Sequence, residues 1–297
     1  MRHNEGVRIT VGDIHGNATD FESLARLHVL GYAYSLLGGP VVLDLSSVRW
    51  LEAPMCATLG AVIEDLRETN TVQLLWPRRE AVRRLLQRNG FAAAFGGRRL
   101  PDFYQSTLGY ERQAIDDEGA TVAYVRERLL ARNEMTAYSS QVRLQIEQAF
   151  AELRENSREH GRSHDLFVCG QLFPQLHKLV IQVVDRGIGF NECINTARGT
   201  RWDDKRCLEW AMAEGSTTRS GDRPGGLGLK ELRRFLTETG GAMRIVSGAA
   251  SWSLDSGHVD SVPLRHRLPV TAVTVRFSTN ALEPPSLSEP TVEEDYF

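Results

Sequence analysis

The chain has 297 residues, long enough for two ordinary domains or one large one, with 41% apolar and 25% charged side chains, the proportions of a packed globular protein. Its 35 basic and 38 acidic side chains leave a formal net charge of -3, which argues against a general binder of nucleic acid or anionic membrane, local basic patches apart. No apolar run approaches the ~20 residues of a membrane span, no charged-then-apolar leader opens the sequence, and the four cysteines lack CxxC spacing. A cytoplasmic protein with reduced thiols is expected.

In chain order, "VRITV" reads as a short strand and residues 20–37 as a helix. Residues 41–45 form a buried strand and 53–69 an amphipathic helix. Residues 71–76 are a third strand and 79–88 a further helix, stopped by Asn89-Gly90. Such alternation predicts helices packed on a sheet in a small α/β unit. Between about 96 and 119 the pattern weakens and turn residues accumulate, so the domain junction is expected there. Beyond it, helices are predicted over 120–132 and 139–160, and strands near 166–169 and 178–184. A Gly-rich polar stretch then leads into a helix after Gly226. Strands near 243–247, 251–254 and 270–277 close the region. The last 17 residues, rich in Pro and acid and without periodicity, are expected to form a flexible tail.

The stretch "VGDIHGN", residues 11–17, is similar to the opening of the calcineurin-like metallophosphatases. Those enzymes need later Asp, Asn and His ligands, and neither a GDxxD segment nor Gly-Asn-His follows. Asp13 and His15 alone cannot offset the hydration that two metal ions would lose. A strand entering a Gly-containing turn is the better reading.

Three other segments carry chemistry. In "AELRENSREHG", residues 151–161, Glu152 and Asn156 lie one helical turn apart on one face. A carboxamide there can hold Mg2+ and a carboxylate can orient an attacking hydroxyl or water. In "LVIQVVDRGIGF", residues 179–190, an apolar strand ends in Asp185, a hydrogen-bond acceptor for an adenine amino group. Gly187 and Gly189 let the backbone approach the ring. In "GGLGLKEL", residues 225–232, Gly226, Leu227 and Gly228 open a helix whose free N–H groups suit a triphosphate.

In this order and spacing the three resemble the N, G1 and G2 boxes of the GHKL ATPases, the group of gyrase and the histidine kinases, over residues 120–280. "LPVTAVTVRF" looks like the last strand of that family. On the resemblance, Asp185 binds adenine with Thr271 behind it through water, and Asn156 binds Mg2+. Gly187, Gly189, Gly226, Leu227 and Gly228 line ATP, and Arg219 stands in a lid over residues 213–224. Glu152 becomes the catalytic base. The helix is most similar to that of the anti-sigma-factor serine kinases. No phosphoacceptor-histidine helix precedes it, which argues against an ordinary sensor histidine kinase.

Residues 7–95 resemble a STAS domain, the fold of anti-sigma-factor antagonists, on "VVLDLSSVRWL" and the helix, strand and helix after it. The usual phosphorylatable Ser is replaced by Glu52-Ala53-Pro54-Met55. The fold expected is thus a two-domain α/β protein, with a STAS-like domain at 1–110, a linker at 111–119 and a Bergerat-type sandwich at 120–280. That sandwich would be a mixed sheet with helices on one face, followed by the tail at 281–297. The implied function is a homodimeric signalling protein that binds Mg-ATP and either hydrolyses it or phosphorylates a protein of a STAS or sigma-factor pathway. No direct contact with nucleic acid or membrane is expected. A non-catalytic ATP-dependent assembly switch, or an ATPase of a bacterial defence system, remains as the alternative.

Overall fold

A computed structural model describes residues 6–35, 39–136, 138–159, 161–213 and 227–279. The first sheet contains β1 (Val7–Thr10), β2 (Val41–Asp44) and β3 (Val72–Leu75), parallel and in that order. Parallel neighbours need crossovers, and these are α1 (Ala18–Ser35) and α2 (Cys56–Arg67). The 3-10 turn Ala53–Met55 leads into α2 with a proline in its first positions, where a missing N–H costs nothing. After α3 (Glu80–Arg88) the chain turns at Gly90, whose φ of +87° favours glycine, into the short α4 (Phe91–Ala94).

The second sheet comprises β4 (Thr107–Ala114), β5 (Asp165–Phe173), β6 (Lys178–Asp185), β7 (Ala242–Asp255) and β8 (His258–Ser278), in the order β4-β5-β6-β8-β7. Every pairing is antiparallel, which corrects the mixed sheet expected from the sequence. The reason is connectivity. β5–β6 and β7–β8 are joined by short turns, and β8 inserts between β6 and β7, so these two strands, which run the same way, never pair. β4 falls inside the stretch read as a junction. It is an edge strand, paired with β5 alone among the described strands, and its buried positions run Leu108, Tyr110 and then the polar Gln113, so the sequence shows no sustained apolar period. The two separate strands expected at 243–254 are one, broken in pattern by a register shift around Gly248 at φ +59°.

Helices α5 (Glu118–Tyr124), continued by a π-helical segment Val125–Leu130, α6 (Ser140–Glu159) and α9 (Leu227–Glu238) pack on one face of this sheet. Two more, α7 (Gly189–Arg198) and α8 (Asp204–Met212), follow β6 and lie by β7. The opposite face, expected to be bare of helices, is covered by α1 and α2. Phe167, Cys169, Val184, Val246 and Ala272 of the second sheet share one core with Leu24, Leu59, Ile63 and Leu66. At its centre Gln182 of β6, fully buried, accepts from the Thr58 N–H (3.1 Å) and hydroxyl (2.7 Å) and donates to Thr274 (2.9 Å). A buried carboxamide is tolerated in that core because it is bonded on both sides. Among the described residues no helix is long and apolar enough to cross a membrane.

Candidate nucleotide site

The alternation of β6 sends Leu179, Ile181 and Val183 into the core under α6 and α9, and the same period puts Asp185 on that face at the strand's end. Asp185 pairs in register with Thr271 of β8, and Thr271 with Ser247 of β7. Three polar side chains thus stand in a row where the apolar rows stop. The Ser247 and Thr271 hydroxyls are 3.0 Å apart, and Ser247 Oγ also accepts from the Phe190 N–H at 3.2 Å.

The Asp185 carboxylate is buried and has two donors among the described residues. Its Oδ2 accepts from the Ser157 hydroxyl of α6 at 2.9 Å, and its Oδ1 from the Gly187 N–H at 2.8 Å. Neither donor is charged. Burial outweighs both bonds and pushes the carboxyl up to about 6 from 3.8. An ionised carboxylate has room for further donors, so this one is short of partners at neutral pH.

The turn after Asp185 is held tightly. The Ile188 N–H donates to the Gly161 carbonyl (2.8 Å), and a side chain at Gly187 would overlap that same carbonyl. Gly189 has a φ of +76°, and a Cβ there would press on the Ser247 hydroxyl. Both glycines are therefore required by the backbone geometry around Asp185.

Asn156 precedes Ser157 in α6, is half-buried, and among the described residues has no hydrogen-bond partner for its carboxamide. Glu152 lies on the side of α6 turned to α5, lining a cavity of about 370 Å3 with Glu118, Thr121 and Arg154. Glu152 and Ser157 project about 140° apart on the helix, so Glu152 does not share the face that meets Asp185. Leu227 and Gly228 are the first residues of α9. Arg219, Gly226 and the tail lie outside the described residues. The structure therefore brings Asp185, Gly187, Gly189 and Thr271 together, with Asn156 adjacent. Ser157 and Ser247 were missed by sequence reasoning, since a serine carries no signal until its neighbours are known.

The Asp13 carboxylate closes a turn. Its Oδ1 accepts from the N–H groups of Arg49 (2.6 Å) and Trp50 (3.1 Å), which hold it below the usual carboxylate range. His15 stacks on Trp50 at 6.0 Å. Asp13→Ala should leave both N–H groups without an acceptor and lower stability by about 1–2 kcal/mol in urea unfolding at pH 7. An unchanged midpoint would show that water replaces the carboxylate at no cost.

No protein-family model matches the chain, and no curated protein matches it either.

Proposed function

We propose that the chain binds Mg-ATP through the Asp185 site, with a Bergerat-type unit around the five-stranded sheet and a STAS-like unit around the three-stranded one. The observation that carries this reading is the Asp185 carboxylate, buried at the mouth of an apolar strand with two neutral donors among the described residues. An exocyclic amino group is a neutral donor that would complete its bonding without bringing in a second charge. The Thr271 and Ser247 hydroxyls, beside it in the same row, are placed to hold a bridging water.

Asn156 fits the role of Mg2+ ligand, because its carbonyl oxygen is a hard donor that no described residue occupies. When bound, Mg2+ would supply charge neutralisation on the phosphates. The N–H groups at the start of α9, including Leu227 and Gly228, would meet the phosphates, with Gly226 and Arg219 contributing from the preceding segment. Glu152 does not face Asp185, but it stands about 40° from Asn156 around the helix, so it would accept the proton of the attacking water or hydroxyl at the Mg2+ end of the nucleotide rather than near the base. A general base contributes about a hundred- to ten-thousand-fold. The acceptor is water or a protein of the STAS and sigma-factor type, and a homodimer is the assembly this reading carries.

Calorimetry with ATP, with and without Mg2+, tests the reading. The parent should bind Mg-ATP more tightly than ATP alone, and Asn156→Ala should lose that difference. Absence of heat with millimolar Mg-ATP would sink the proposal. With gamma-labelled ATP, Glu152→Ala should bind as the parent does and lose most turnover. A parent that binds Mg-ATP and never turns it over would instead be a nucleotide-dependent assembly switch.

A further inference from the structure

A second cleft lies at the edge of the five-stranded sheet. It has a volume of about 480 Å3 and sits between the end of α3, the segment 96–106, β4 and the π-helical segment, within the size range of small-molecule sites. Four guanidinium groups line it, from Arg88, Arg99, Arg128 and Arg132. Among the described residues the side chains of Arg88, Arg99 and Arg128 make no hydrogen bond or ion pair, whereas Arg132 Nε faces Glu134 at 3.6 Å. Arg132 is tied down by the Gln105 carbonyl, which fixes its position.

Three carboxylates also line the cleft, from Asp102, Glu111 and Glu127, and yet the arginines do not pair with them. Asp102 spends Oδ2 on the Thr107 N–H and hydroxyl, both at 2.8 Å, and its Oδ1 is buried with no donor. Glu111 accepts from Gln113. One cavity therefore gathers three arginines, Arg88, Arg99 and Arg128, and the Glu127 carboxylate, none of which has a hydrogen-bond or ion-pair partner among the described residues. A ligand that carries both an anion and a hydroxyl would match them. Between the lining residues Asp102 and Gln105 stand Phe103 and Tyr104, each 84% exposed, where they can cover a flat ring.

We propose that this cleft binds a hydroxyl-bearing phosphate ester of the nucleotide type. The arginines would take the phosphate, Glu127 a sugar hydroxyl, and Phe103 or Tyr104 the base. Arginine is suited to the first task because its planar fork matches phosphate oxygens two at a time. The site is separate from Asp185, which lies two strands inward at the other end of the sheet.

Calorimetry on the full chain with uridine diphosphate, ribose 5-phosphate and inorganic pyrophosphate tests the proposal. Uracil offers an oxygen where adenine has its amino group, so it avoids the Asp185 site. Uridine diphosphate should bind, and the Arg88→Gln/Arg99→Gln double variant should weaken it at least about tenfold, the loss of roughly one charge-assisted bond or more. The thermal melting of that variant should match the parent, because neither arginine holds the fold. Asp185→Asn should bind uridine diphosphate as the parent does. Equal affinity for ribose 5-phosphate would keep the phosphate ester and dispense with the base. Binding of pyrophosphate as tight as that of both esters would overturn the role of the hydroxyl. So would failure of all three at millimolar concentration, or a double variant that binds unchanged. If a single-stranded oligonucleotide binds at these arginines more tightly than uridine diphosphate, the small-molecule assignment fails.

Discussion

Removing residues 1–95 should leave a fragment that is insoluble or lacks fixed tertiary structure. The sequence boundary implied the opposite, a downstream region able to stand alone. The expectation rests on contacts, because α1 packs on β8 and α2 on β4, β5, β6 and β8 of the second sheet. Without them Phe167, Val184, Val246, Leu268 and Val270, all 3% exposed or less, would meet water. At about 1.5–3 kcal/mol per buried side chain the loss is on the order of 10 kcal/mol, comparable with the whole stability of a domain. Near-UV circular dichroism of residues 96–297 would show it, and a soluble fragment that unfolds cooperatively would refute it. Gln182→Leu probes the same interface in the intact chain. It strips the Thr58 N–H and hydroxyl of their acceptor in a buried place, and should cost roughly 3 kcal/mol. A change below about 0.5 kcal/mol, the size of an ordinary surface substitution, would mean that the two units are not coupled there.

Asp185→Asn should stabilise the protein at neutral pH and weaken it as a nucleotide binder. The folded carboxyl titrates at about 6 and the unfolded one at 3.8. Below the lower value both states carry the proton, and nothing is lost. As pH rises between them the unfolded chain ionises while the folded one holds its proton, so stability falls. Above about 6 the cost is constant, and two pKa units correspond to about 3 kcal/mol. Asparagine removes the charge and keeps the bonds. Its oxygen can accept from Gly187, and its amide can donate to Ser157, whose hydroxyl then turns wholly to the Leu153 carbonyl at 3.0 Å. Urea unfolding should therefore find the variant more stable by about 2–3 kcal/mol at pH 7.5 and nearly equal to the parent at pH 4. A variant less stable at both values would show that the carboxylate is there for the fold rather than for a ligand.

Much of this was legible in the residues. The short parallel strands and α1, α2 and α3 follow from periodicity and from turn residues such as Asn89-Gly90. Asp185 stood out because a carboxylate at the end of an apolar strand is unusual, and the two glycines after it mark a constrained turn. Elements held by context rather than pattern were not legible. β4 is an edge strand that carries Glu111 and Arg112, and α7 and α8 are short, with only Ile194 buried in the first and Cys207, Leu208 and Met212 in the second. The docking of α2 on β6 hinged on Gln182, which reads as an interruption in an apolar run until Thr58 is seen beside it. Ser157 and Ser247 belong to the same class, ordinary in sequence and decisive in place.

The measurement that bears most directly on the central proposal is a comparison of Mg-ATP and Mg-GTP affinities at pH 7.5, in the parent and in Asp185→Asn. An adenine amino group donates to the ionised carboxylate, whereas the 6-oxo group of guanine would set acceptor against acceptor. The parent should favour ATP by about tenfold or more, equivalent to one hydrogen bond to a charged group. Asparagine, which has both a donor and an acceptor, should bring the two nucleotides to within about threefold while weakening ATP by roughly 1–3 kcal/mol. Equal affinities in the parent, or an ATP preference that Asp185→Asn leaves untouched, would contradict the assignment of Asp185 to adenine.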